Sequence, residues 1–149
     1  YRMSEIHSAI GIEQIKKLPT FLGKRKSNYE TLSNILCKED KIRVLAQPQN
    51  EIKTSCHYCL SIVLDESIAS HRSEIMNFLK EEGIGSSIYY PQPVPRMKYY
   101  QEKYGYDQHL FKKAATISDH SIALPVGPHL DSTDMETIGY SINKILKNL

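Results

Sequence analysis

The chain has 149 residues, of which 40% are hydrophobic and 24% are charged, and its formal net charge is +2. This length suits one globular domain, which buries about 68–70% of the surface that its unfolded form exposes. The small net charge excludes the strong positive field of a nucleic-acid-binding protein. The apolar runs are too short for a membrane-spanning helix, which needs ~20 residues, so we expect no membrane insertion.

The beginning of the chain, Tyr1-Arg2-Met3-Ser4-Glu5, lacks the basic stretch and apolar core of a signal peptide. It also lacks an initiator methionine, and we therefore expect a piece of a longer polypeptide. The three cysteines (Cys37, Cys56 and Cys59) are too few for a disulfide framework and indicate reduced thiols in a cytoplasmic protein.

The first 37 residues predict two helices. Ser4 can cap the first, and Glu5 would lie in its first turn, where the helix dipole favours a negative charge. Pro19 is expected to end or kink this helix at about Leu18. A second helix would then start at Thr20 and run to about residue 37.

The middle of the chain predicts short strands around one helix. Residues 42–45 form a candidate strand, 48–50 a turn, and 56–64 a second strand because apolar and polar residues alternate there. Ser67 or Ser70 can cap a helix that ends at Gly83. Residues 84–90 predict another strand, and the prolines at 91, 93 and 95 predict an extended segment.

The last third predicts a tyrosine-rich loop at 99–106, a short helix at 109–118 and a strand at 122–124. A final amphipathic helix follows, capped by Asp131, Ser132 or Thr133, with Thr133 and Glu136 placed as a capping box. Helices interleaved with short strands predict an α+β fold, arranged as a two-layer sandwich.

Three sequence clusters resemble catalytic motifs but favour structural interpretations. Cys56 and Cys59 would point to opposite faces of a strand, so we expect buried thiols rather than a redox or metal site. The run 118–121 contains Ser, Asp and His, but adjacent side chains diverge, whereas a hydrolase triad converges from distant segments. Gly83 and Gly85 favour a helix cap and turn over a phosphate-binding loop.

Tyr89 and Tyr90 end a predicted strand and enter a loop stiffened by proline. Their rings offer flat apolar surfaces and their hydroxyls offer hydrogen bonds, which suits the binding of a sugar or a base. Ordinary packing with the hydroxyls at the surface is the alternative. The pattern alone indicates no self-contained catalytic set.

The order of several motifs resembles the DegT/DnrJ/EryC1/StrS family of PLP-dependent sugar-nucleotide aminotransferases. The opening Tyr1-Arg2-Met3-Ser4-Glu5-Ile6-x-x-Ala9-Ile10-Gly11-x-x-Gln14 is similar to the motif that begins the C-terminal part of that family. The segment 83–91, GIGSSIYYP, resembles the family's GIGTGIHYP. The likeness continues at Tyr99-Tyr100, at 121–125 (SIALP, family LSLP) and in the terminal helix, and it covers essentially the whole chain.

The resemblance implies the small C-terminal domain of a fold-type-I aminotransferase. Residues 1–37 would form a helical segment that links to a PLP-binding domain upstream, and residues 38–149 would form a small α+β domain. The long N-terminal helices would pack with a small, mainly antiparallel sheet. The lysine that carries pyridoxal 5'-phosphate precedes this region in the family. We therefore expect no catalytic residue and no metal ligand in this chain.

The resemblance also implies which residues contact ligands. Arg2 matches the family's arginine and would hold a phosphate or carboxylate of the cofactor or substrate, with a salt bridge at the subunit contact as the alternative. Tyr90 matches the family's tyrosine, Tyr89 replaces a histidine and Ser86 a threonine, and all three are expected to bind substrate. Arg96 and Lys98 would meet a nucleotide diphosphate or remain solvated.

The expected reaction moves an amino group from glutamate to a keto sugar nucleotide, with PLP as the electron sink. Such a protein is expected to be a homodimer that acts in surface polysaccharide or deoxysugar biosynthesis, and this chain would be inactive alone. The alternative is a non-catalytic module that binds a nucleotide sugar or a partner aminotransferase, or a remnant of a broken gene.

Overall fold

A computed structural model describes residues 2–45, 54–107 and 109–149, so the turn predicted at 48–50 lies outside the described residues. Five helices and three strands make up the described fold. They are α1 (Glu5–Leu36), β1 (Ile42–Val44), β2 (Leu60–Leu64), α2 (Arg72–Glu81), α3 (Lys98–Tyr104), α4 (Lys112–His120), β3 (Ser121–Leu124) and α5 (Ser132–Leu146). None of the helices in the described ranges is long and apolar enough to cross a membrane.

Helix α1 is one continuous helix, so the prediction of two helices separated at Pro19 is wrong. A proline inside a helix removes one hydrogen bond to the carbonyl four residues earlier. The first half of α1 is exposed, with Ile15 69% and Leu18 45% accessible, and water can solvate that carbonyl. The predicted cap is confirmed, because the Ser4 hydroxyl accepts a hydrogen bond from the His7 N–H at 3.4 Å.

The three strands form an antiparallel sheet in the order β1-β2-β3. Leu60, Ile62 and Leu64 alternate along β2 and place their side chains in the core. Helices α1 and α2 contact the sheet, and α5 packs against both of these helices. The fold is therefore the small two-layer α+β domain with an antiparallel sheet that the sequence predicted.

Two predicted strands are shorter than expected or missing. Residues 54–59 are irregular and β2 begins at Leu60, because His57 has a φ of 45° and the left-handed region does not fit a strand. His57 is buried against the Tyr29 ring, with 4.7 Å between the ring centroids. Residues 84–90 touch the sheet only at Ser87, which pairs with Ala123 of β3.

Three helices differ in part from the predictions. Residues 98–104 are helical rather than a loop; the helix ends at Gly105, whose positive φ supplies a C-terminal cap. A short 3₁₀ turn, Ala69–His71, precedes α2 without a serine cap. Asp131, one of the three predicted caps of α5, is confirmed, but the predicted capping box of Thr133 and Glu136 is wrong, because the box joins Asp131 and Asp134.

Candidate functional site

The segment that carries the tyrosine pair is fixed at three points. The Ile84 N–H donates to the Leu79 carbonyl at 2.8 Å, which closes the end of α2. Ser87 exchanges two backbone hydrogen bonds with Ala123 of β3, of 3.1 and 2.8 Å. The buried Ser118 hydroxyl donates to the Tyr90 carbonyl. These bonds hold the backbone of the tyrosine pair against β3 and the end of α4.

Tyr89 lies between two cavities of contrasting chemistry. The first has a volume of about 660 Å³, contains both Tyr89 and Tyr90, and is walled mainly by apolar side chains, among them Val94, Met97 and Phe111. We call it the apolar groove. The second has a volume of about 290 Å³ and includes Tyr89 together with Arg25, Tyr58, Ser87 and His129. We call it the polar cavity.

The hydroxyl of Tyr89 belongs to a small polar cluster. Its ring lies 6.1 Å from the Tyr58 ring, measured between centroids. A hydrogen bond to the Tyr58 hydroxyl and repulsion by its charged form raise the pKa of Tyr89, and the Ser87 hydroxyl opposes this rise. Tyr89 therefore keeps its proton at neutral pH and donates it to the Tyr58 hydroxyl, which leaves the Tyr58 O–H as the donor available to a ligand.

The far wall of the polar cavity is a loop that α1 holds in place. The buried Asn28 side chain donates two hydrogen bonds of 3.0 Å, to the carbonyls of Gly127 and Leu130. The loop also packs tightly upon itself, since a Cβ at Gly127 would lie 2.5 Å from the His129 ring. Only glycine at this position lets the His129 imidazole lie where it does.

The structure brings together two of the four sequence-predicted site residues. Tyr89 and Tyr90 line the apolar groove, with 6.3 Å between ring centroids. Ser86 is half-buried and lines neither that groove nor the polar cavity. Arg2 is exposed just before α1, and the helix rise places the start of α1 about 30 Å from Arg25, which lines the polar cavity.

The other candidate cations have partners. Arg96 Nη1 donates to both carboxylate oxygens of Asp119, at 2.9 and 2.8 Å, which neutralises the charge that was a candidate for binding a diphosphate. Lys98 lies 3.8 Å from the Glu102 carboxylate in an exposed pair. Asp119 thus has a structural partner in Arg96, and the Ser118 hydroxyl has one in the Tyr90 carbonyl.

The Cys-x-x-Cys segment does not form the buried pair of thiols that was predicted. Cys56 is exposed and Cys59 is half-buried, because the segment is irregular here rather than a strand. Within the described ranges, no group of three or more His, Cys, Asp or Glu residues is placed to hold a metal ion.

Sequence reasoning missed Arg25 and His129 as candidate site residues. Arg25 stands between Lys24 and Lys26, where a cation indicates a solvated helix face. The signal that distinguishes it is position: Arg25 is one helical turn before the buried Asn28, on the side of α1 that faces the sheet.

Comparison with known proteins gives a family match. The sequence profile of the DegT/DnrJ/EryC1/StrS aminotransferase family matches residues 1–143. The spore coat polysaccharide biosynthesis protein SpsC of Bacillus subtilis is 25% identical over 148 residues, which are 97% of this chain and 37% of that protein. The Helicobacter pylori UDP-4-amino-4,6-dideoxy-N-acetyl-beta-L-altrosamine transaminase is 25% identical over 99% of this chain and 38% of that protein.

Solved structures share the fold. Helicobacter pylori PseC, an aminotransferase involved in the biosynthesis of pseudoaminic acid, superposes with a TM-score of 0.86 at 23% identity, over 100% of this chain and 39% of PseC. The PLP form of the sugar aminotransferase Spr1654 from Streptococcus pneumoniae gives a TM-score of 0.83 at 21% identity, over 99% and 36% of the two chains. The chain thus spans little more than a third of the length of these relatives.

Proposed function

Because the chain belongs to the DegT/DnrJ/EryC1/StrS aminotransferase family, we propose that it forms the C-terminal part of a PLP-dependent sugar aminotransferase. The complete enzyme moves an amino group from glutamate to a keto sugar nucleotide, in the cytoplasm. The observation that carries this proposal is the position of Tyr89 and Tyr90, side by side in an apolar groove of about 660 Å³. A groove of this size and lining accepts a sugar or a base.

We propose that the described residues of this chain do not by themselves hold the cofactor. No lysine is among those that line the apolar groove or the polar cavity, so the amine that attaches PLP is not presented there. When bound, PLP supplies an electron sink for amino-group transfer. The role we assign to this chain is to bind and orient the substrate through Tyr89 and Tyr90, which line the apolar groove, whereas Ser86 does not.

We propose that two copies of the polypeptide complete each active site. Arg2 is about 30 Å along α1 from the cavities beside Tyr89, so the two regions serve one site only if they come from different subunits. In this arrangement residues 1–37 reach toward the cofactor phosphate of the partner subunit, and residues 38–149 form the small domain. Arg2 then binds the cofactor through its planar guanidinium.

The test is an assay of the complete polypeptide with PLP, glutamate and a panel of keto sugar nucleotides. We expect formation of an amino sugar nucleotide and of 2-oxoglutarate, detected by mass spectrometry. The 149-residue chain alone is expected to give neither product. Amination by this chain alone would contradict the proposal that another part of the polypeptide attaches the cofactor.

The second candidate function is a non-catalytic module that binds a nucleotide sugar. The absence of lysine from the described lining of both cavities favours it. Nucleotide-sugar binding by the complete polypeptide, without amination of any member of the panel, would support this alternative and would contradict the proposed aminotransferase activity.

A further inference from the structure

Arg25 is a cation without a carboxylate partner in the part of the chain that the structure describes. No acceptor among residues 2–45, 54–107 and 109–149 forms a hydrogen bond with its Nε, which is itself buried. The neighbouring Lys26 has Glu30 at 3.9 Å. The guanidinium carbon of Arg25 lies 5.9 Å from the centre of the Tyr58 ring, a cation–π contact that brings no negatively charged group to the guanidinium.

The polar cavity around Arg25 is built for a negative charge. Its described lining contains no Asp or Glu. Residues whose side chains can donate hydrogen bonds share this lining instead: Tyr58, Tyr89, Ser87 and His129. A permanent cation and several neutral donors that converge on one cavity stabilise an anion strongly, because charge-assisted hydrogen bonds are about twice as strong as neutral ones.

We propose that Arg25, with the hydroxyl of Tyr58, binds an oxyanion of the substrate, either a carboxylate or a phosphate. The planar guanidinium presents paired N–H groups that match the two oxygens of either group. A volume of about 290 Å³ accepts a small acid or a single phosphate and is too small for a whole sugar nucleotide. The ligand's identity rests on the proposed function, but the existence of the site does not.

The site also connects the two cavities. Tyr89 lines both, so a ligand anion in the polar cavity and an apolar or sugar group in the groove contact opposite sides of the same ring. Arg25 therefore fixes one end of a ligand relative to Tyr89 and Tyr90.

The experiment measures binding to the complete polypeptide by calorimetry, with glutarate and inorganic phosphate as separate probes. Glutarate has the carboxylates of glutamate but no amino group to transfer, so the measurement does not depend on turnover. We expect one or both probes to bind, and the Arg25→Gln variant to weaken that binding about tenfold or more. Preferential binding of glutarate indicates that the oxyanion is a carboxylate of the amino donor. Preferential binding of phosphate indicates that it belongs to a phosphorylated substrate.

Three further variants separate a binding role from a structural one. Lys24→Gln removes an exposed cation from the adjacent position and should leave both affinities unchanged within twofold. Arg25→Lys keeps the charge without the paired N–H groups, so its affinity should fall between those of the native protein and Arg25→Gln. Tyr58→Phe, which keeps the ring but loses the hydroxyl, should weaken binding severalfold.

The proposal is overturned if Arg25→Gln binds both probes as tightly as the native protein, or if neither probe binds the native protein. It is also overturned if Arg25→Gln lowers the thermal unfolding midpoint while affinity in the folded variant is unchanged, since Arg25 would then pair with a protein carboxylate. Failure of amination with intact probe binding would contradict the proposed function but not this site.

Discussion

Asn28 in α1 and Gly127 in the loop after β3 are joined by a hydrogen bond of 3.0 Å, although 99 positions separate them in the sequence. The same amide group donates to the Leu130 carbonyl, so one side chain satisfies two backbone acceptors of the loop. This loop also carries His129 into the polar cavity. Asn28 is therefore the link between the long helix and the wall of the candidate site.

Replacing Asn28 with leucine should destabilise the fold by about 1–3 kcal/mol, because two carbonyls would lose their donor in a buried place. Urea unfolding measures this loss. The control is Asn34→Leu, an exposed position on the same helix, which should change the unfolding free energy by less than about 0.5 kcal/mol. Equal stability of the two variants would show that water replaces the amide of Asn28.

Gly139 is required by the contact between α1 and α5. A Cβ at this position would lie 2.7 Å from Ile35 Cγ2, so Gly139→Ala should destabilise the protein by about 1–3 kcal/mol through overpacking. Gly23 in α1 has open space around it, and Gly23→Ala should stabilise the protein by about 0.5–1 kcal/mol through helix propensity. Opposite shifts in the thermal unfolding midpoint are the expected result; shifts of the same sign would contradict the tight contact.

His57 should make stability depend on pH. Burial lowers the pKa of His57, Glu30 opposes this effect and Lys26 adds to it. The unfolded chain then binds more protons than the folded one, so stability falls as the pH drops through about 6.5 toward the folded pKa. Urea unfolding between pH 5 and 8 should show a smaller slope for His57→Phe than for the native protein. His7→Gln, at an exposed position, should keep the native slope.

Arg2 and Tyr90 should act in the same active site from different subunits. Arg2→Ala is expected to weaken cofactor or substrate binding in the complete enzyme by about 1.5–3 kcal/mol. Each of Arg2→Ala and Tyr90→Ala should lower activity alone, whereas refolding the two together should restore part of it, because a mixed dimer contains one site without either substitution. An unchanged low activity after mixing would contradict the shared site.

The sequence predicted those elements whose signals are local. The cap at Ser4, the strand at 122–124 and the helix that ends at Gly83 all follow from residue types at short spacing. It failed at Pro19, because water can solvate the carbonyl that loses its hydrogen bond in the exposed first half of α1. It also failed at His57, where a buried contact with Tyr29 accompanies a backbone that interrupts an alternating pattern. The tyrosine pair was found from sequence, but Arg25 was hidden between two lysines because only the fold reveals which cation faces the sheet.

The two halves of α1 have different surroundings. Isoleucines 6, 10, 12 and 15 are each more than half exposed, whereas Leu32 and Leu36 are fully buried. The first half depends on intrinsic helix propensity, which Gly11 and Pro19 weaken, and the second is held by the sheet and α5. Amide hydrogens of the 149-residue chain should therefore exchange with solvent orders of magnitude faster before residue 20 than after residue 28. In the isolated chain, the first half of the long helix should unfold locally while the second half stays folded against the core.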